Sequence, residues 1–214
     1  MAANPSAEMD ACPSYNPGAT FRGTLTVNQR TIIGALEQGT GVVNGTGELV
    51  SALTVTSSGA LNGILADGVD YAAGILKRSA GTTTIGAANS FTGAIKVQGG
   101  TLQLAEGGSF DTASSLTMSA DGTMDLNSKS QSFSAVNGTG GTVALGSGTL
   151  GVDGSSDSNF AGSITGNGSL TKDGSGTLAL TGASSYTGAT VVSDGLLVVN
   201  GSISTSSLTT IQSG

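Results

Sequence analysis

Short runs in which aliphatic residues alternate with Thr, Ser or Gly recur along the whole chain of 214 residues. Nine of them stand out: "GTLTV" at 23–27, "LTVTS" at 53–57, "TLQLA" at 101–105, "LTMS" at 116–119, "TVALG" at 142–146, "GTLGV" at 148–152, "GTLAL" at 176–180, "TVVS" at 190–193 and "LLVVN" at 196–200. Each reads as a short strand with one apolar face, and Gly, Asn or Asp marks the breaks between them. Helical periodicity is nearly absent; the best exception, "TIIGALEQG" at 31–39, is too short and too glycine-flanked to support a helix.

The chain also repeats itself. A shift of 95 positions aligns Ile75–Ala105, "ILKRSAGTTTIGAANSFTGAIKVQGGTLQLA", with Leu170–Asn200, "LTKDGSGTLALTGASSYTGATVVSDGLLVVN", without a gap. Lys77 falls on Lys172, Gly81 on Gly176, "FTGA" on "YTGA", Val97 on Val192, Gly100 on Gly195 and Leu102 on Leu197. A second unit recurs three times, as "SALTVTSSG" ending at Gly59, "SSLTMSADG" ending at Gly122 and "SSLTTIQSG" ending at Gly214. The pattern breaks off at Gly214, so the chain is expected to be a piece of a longer protein.

Short strands with one apolar face cannot bury that face alone, whereas stacked coils build a continuous aliphatic stripe and pair each strand with those above and below. The expected fold is therefore all-β, a right-handed parallel β-helix. Coils of about 20 to 25 residues at about 4.8 Å per rung predict a rod on the order of 40 Å long. The expected organisation is a leader or N-terminal cap at 1–20, degenerate coils at 21–74, a module at 75–169 and a second module at 170–214. Open rung edges at either end would pair with further chain or with another copy.

Composition agrees with this reading. The chain has 36 glycines, 4% aromatic and 10% charged residues, but 37% apolar residues, too many for a disordered polymer. Its core must consist of small aliphatics. A formal charge of −7, with no basic cluster beyond Lys77-Arg78, excludes an electrostatic nucleic-acid partner. The N-terminal "MAANPSAEMDACPSYNPG" lacks the basic flank and apolar run of a secretory signal, and no apolar run is long enough to cross a membrane as a helix. Cys12, the single cysteine, cannot form an internal disulfide.

The stretch Gly162–Ile203, "GSITGNGSLTKDGSGTLALTGASSYTGATVVSDGLLVVNGSI", resembles the autotransporter-associated β-strand repeat of Gram-negative type V passenger domains. Leu170, Lys172, Gly174, Gly176, Thr177, Leu178, Leu180, Gly182, Tyr186, Gly188, Thr190, Val192, Gly195, Leu197 and Val199 carry the resemblance. In Ile75–Ala105 it is weaker, with Thr83 in place of a leucine. The resemblance implies a β-helical passenger at the bacterial cell surface or outside the cell, with an outer-membrane β-barrel elsewhere in the full-length protein. It also implies a stalk or adhesive surface whose partners are host cells or matrix, or other cells through self-association.

Reactive chemistry is sparse. With no histidine, neither Ser-His-Asp nor Cys-His catalysis can be assembled within this chain, nor can a His-containing zinc site. Many parallel β-helices act on polysaccharides through paired acids, which makes such an enzyme the competing reading. Here the fourteen acids are dispersed and tryptophan is absent, so no catalytic residue and no cofactor are assigned. Asp153, Asp157 and Asn159 offer calcium-type oxygen ligands, although a polar loop between coils explains them as well and no metal is assigned. The equivalent Phe91 and Tyr186 either staple a loop onto the wall of the rod or, if exposed, stack on sugars or anchor a partner. These five residues form the candidate interaction surface. The Asn-Gly-Ser/Thr sequences at Asn44, Asn137, Asn167 and Asn200 read as turns rather than glycan acceptors. Specificity is expected where the pattern lapses, in the loops Asp67–Tyr71 and Asp153–Asn159.

Overall fold

The computed structural model describes residues 6–9, 24–27, 32–33, 42–45, 51–55, 59–61, 64–67, 72–78, 80–110, 114–207 and 209–211. Every strand pairing among them is parallel. No helix is present among the described residues, and the strands wind into a β-solenoid of about seven turns. From Ala73 onward, paired residues lie 19 to 22 positions apart, which is the length of one coil. Seven rungs at about 4.8 Å each give a rod of about 34 Å.

Each coil visits three faces. The first carries Ser51–Val55, Ala73–Lys77, the start of Ile95–Leu104, the start of Ser115–Asp125, Ala135–Gly138, Ser158–Phe160, Thr177–Leu180 and Leu196–Val199. On the second lie Gly59–Leu61, Thr82–Ile85, the ends of the two long strands, Thr142–Ala144 and Ser163–Thr165. The third is a separate sheet of Gln131–Phe133, Thr149–Val152, Ser169–Lys172, Thr190–Val192 and Thr209–Ile211. Ser6–Met9, Thr24–Val27, Val42–Gly45 and Ile64–Ala66 form a further parallel sheet.

The period-2 alternation puts the same kind of side chain inside at every rung. Ile75, Ile95, Leu116 and Val136 stack in register on the first face, and Leu102, Met124, Val143 and Ile164 on the second. All eight are buried, in a core that contains only four phenylalanines and one tyrosine among its buried hydrophobics. On the last rung the pattern opens: Leu196 and Ile211 are 55% and 78% exposed.

All nine runs read as strands contain strand residues. In "TIIGALEQG", Ile32–Ile33 is a strand and the other positions lie outside the described residues. The same holds for most of the 1–20 leader, for residues 68–71 of the Asp67–Tyr71 loop and for Gly214. Coil length, 19 to 22 residues, falls at the lower end of the expected range.

Candidate functional site

The loop Asp153–Asn159 joins Thr149–Val152 on the third face to Ser158–Phe160 on the first. Asp153, Asp157 and Asn159 are all exposed there, but their polar groups turn to different coils. Asp157 Oδ1 accepts a 2.8 Å hydrogen bond from the Thr177 N–H of the following coil. Hydrogen bonds from Thr177 hold its carboxyl below the usual range. The Asn159 N–H donates to Asn137 Oδ1 of the preceding coil at 2.9 Å. Partial burial pushes the Asp153 carboxyl up, a hydrogen bond with its own backbone opposes this, and the neighbouring Asp173 adds to it. Among the described residues no group of three or more His, Cys, Asp or Glu side chains is placed to hold a metal ion.

Phe91 and Tyr186 are both wholly inside the rod, at 0% exposure, so neither ring is presented at the surface. Phe91 meets Phe110 of the next coil edge-on, ring centroids 5.8 Å apart, and Phe110 in turn contacts Phe133 at 6.3 Å. Tyr186 carries a hydroxyl into the same kind of position. It hydrogen-bonds Thr190 Oγ1 at 2.6 Å, and Thr190 Oγ1 meets Ser206 Oγ at 2.9 Å. The exchange is matched: Phe91 has Ile95 four residues on, where Tyr186 has Thr190. Burial pushes the Tyr186 phenol up, against the pull of its hydroxyl partners.

The equivalent lysines are the larger surprise. Lys77 and Lys172 occupy inward ladder positions, opposite Val97 and between Val152 and Val192, and are 0% and 1% exposed. Lys172 Nζ donates to the carbonyl of Gly174 in its own turn and, at 3.4 Å, to that of Asp194 one coil further on. Gly195 makes room for the ammonium. Its φ is +69°, and a methyl there would sit 2.7 Å from Nζ and overlap the carbonyls of Gly174 and Gly176. Gly100, the equivalent in the first copy, has φ 62°. Burial pushes both amines down; for Lys172 the carboxylates of Asp194, Asp173 and Asp157 act in the opposite sense.

These acids looked scattered along the chain. Asp153, Asp173 and Asp194 are separated by 20 and 21 positions, one coil each, so winding stacks them along one corner, where Asp173 and Asp194, together with Asp157, act on the Lys172 ammonium. The coil period is the signal that would have revealed them. In the first copy Arg78 stands where the second has Asp173, and it bonds Gln98 Oε1 at 3.2 Å instead. In the other loop Asp67 binds the next coil through both carboxylate oxygens, accepting from Thr92 N at 3.0 Å and from Thr92 Oγ1 at 2.6 Å. Most of these contacts run from rung to rung. They join coils together.

A parallel solenoid with a small-aliphatic core, whose polar groups join one coil to the next, is a repeat protein built of stacked rungs. The chain is a segment of an autotransporter passenger domain: the Passenger-associated-transport-repeat family matches residues 75–104 and 170–199. It is also 42% identical over 161 residues to the Adhesin BmaC autotransporter of Brucella suis biovar 1 (strain 1330), a match that covers 70% of this chain. The chain spans about 5% of that relative's length. No solved structure matches it.

Proposed function

We propose that the segment is a stalk with an adhesive flank, displayed at the bacterial cell surface or released from it. On this reading its polar surface engages host cells or matrix, or the same surface on neighbouring cells. The observation that carries the reading is the 42% identity to an autotransporter named as an adhesin, across 70% of the chain. The rod supports it physically. Its coils are joined by local pairings about 20 residues apart, so each rung can template the next as the chain emerges.

The carboxylates of the candidate surface are exposed and its aromatics are not, so contact falls to the Asp153–Asn159 loop. The reading includes no catalytic step. It is tested by coating beads with the purified chain and measuring attachment to epithelial cells and to matrix proteins, alongside sedimentation of the free chain. Attachment or concentration-dependent association is the expected result. A strictly monomeric rod that binds neither cells nor matrix would leave only a passive spacer.

A further inference from the structure

Five Asn-Gly pairs punctuate the chain, at Asn44, Asn62, Asn137, Asn167 and Asn200. Such pairs can react with themselves, because glycine places no side chain in the way of its own nitrogen as that nitrogen approaches the asparagine amide carbon. Rung stacking treats three of them differently. Asn137-Gly138 lies in a flat strand in which Gly138 pairs with Met118 and Phe160, and Asn137 Oδ1 is taken by the Asn159 N–H at 2.9 Å. At Asn200-Gly201, the Gly201 N–H donates to the Leu180 carbonyl at 3.0 Å. In both, the reacting groups are tied into the ladder.

Asn167-Gly168 is not tied in this way. It forms the corner between Ser163–Thr165 and Ser169–Lys172, with Asn167 exposed and Gly168 buried. The Asn167 N–H bonds the Gly146 carbonyl at 2.6 Å, yet the Gly168 N–H has no acceptor among the described residues. A buried N–H without an acceptor carries a cost that almost every other buried amide avoids.

We propose that Asn167-Gly168 is a self-modification site of the rod. The Gly168 nitrogen attacks Cγ of Asn167 and a new C–N bond forms. The Gly168 proton passes to solvent base, and the side-chain amide nitrogen leaves as ammonia. Water then opens the resulting five-membered imide at either carbonyl, giving aspartate or isoaspartate. Aspartate adds one negative charge to the corner. Isoaspartate inserts an extra carbon into the main chain next to Gly168, which packs so closely on the coil before it that a methyl on its Cα would overlap the Gly148 carbonyl and lie 2.8 Å from Leu145 Cβ. The modification therefore loosens one corner of the rod, irreversibly and with time.

The test is to hold the folded chain at mildly alkaline pH and follow each Asn-Gly pair by peptide mass mapping, with an isoaspartate-specific methyltransferase as a second readout. A urea-unfolded sample runs in parallel. In the folded chain, conversion at Asn167 is expected roughly five- to tenfold ahead of Asn137 and Asn200, the factor worth one backbone hydrogen bond. In urea the sites converge. Equal folded-state rates at the three sites, or no conversion at Asn167 while the unfolded chain converts, would overturn the proposal.

Discussion

The ammonium of Lys172 is held by main-chain oxygens of two successive turns, so its stability effect is bound to the backbone of Gly195. Gly195→Ala forces an L-residue to φ +69° and drives a methyl toward Nζ. The left-handed conformation alone costs about 1–2 kcal/mol, so the variant is expected to lose at least that much in urea unfolding. Titration offers a second check. Burial lowers both lysine amines below their ordinary 10.5, so from the lowered native values up to 10.5 the unfolded chain holds more protons than the native one. Stability therefore rises with pH across that window. Tyr186 opposes the trend only above its ordinary 10.0, where stability is lost as pH rises through the raised native value. The melting temperature should climb as pH rises toward the ordinary tyrosine value of 10.0, and less steeply in the Lys77→Met/Lys172→Met double variant. Equal slopes would exclude the lysines as the cause.

Among the elements, Gln131–Phe133 shows how a strand without an aliphatic pattern is made to fit. Gln131 points inward, is 5% exposed, and uses its amide as a piece of backbone, accepting from the Phe110 N–H at 2.9 Å and donating to the Phe110 carbonyl at 3.0 Å. Gln131→Leu keeps the volume and leaves both Phe110 groups buried without their partner, at about 1–3 kcal/mol for each. Urea midpoints should fall accordingly, while a change within error would mean that Phe110 finds other partners. This case marks the boundary of what the sequence makes legible. "TLQLA" and "GTLAL" announce themselves because aliphatics occupy every inward position, whereas "QSF" and Ser158–Phe160 put Gln131 and Ser158 inside. Their fit depends on hydrogen bonds to Phe110 and to the Val136 N–H, 21 and 22 residues away. Phe91 and Tyr186 were legible as a recurring position, and the wall-staple reading matches their burial. That Lys77 and Lys172 lie inside was not legible, since lysine is almost never wholly buried and the carbonyls that receive Lys172 come from separate coils.

At the scale of the whole molecule, repeat period and coil period do not match. The copies begin 95 residues apart, at residues 75 and 170, and the pairings make that four full coils and two further faces. The pairings show the consequence: Lys77 pairs with Val97 on the first face, whereas Lys172 pairs with Val192 on the third. Equivalent surface positions, such as the exposed Thr92 and Thr187, thus point in directions one face apart, and the repeat cannot line up identical patches along one side. What both copies share is internal, two rungs that pair with each other: residues 75–77 with 95–97 and 82–85 with 101–104, then 170–172 with 190–192 and 177–180 with 196–199. The unit that must be conserved for folding is therefore the coil, not the repeat. Deleting residues 158–177 joins Asp157 to Leu178, the register partner of Ser158, and brings Val192 opposite Val152 in place of Lys172. This chain should still unfold cooperatively by circular dichroism, because every later strand keeps its face. Deleting 158–167 removes half a coil and moves each later aliphatic ladder to the wrong face, and cooperativity should be lost. If the two deletions melt alike, the rungs downstream do not depend on register with those upstream, and the solenoid is not the cooperative unit.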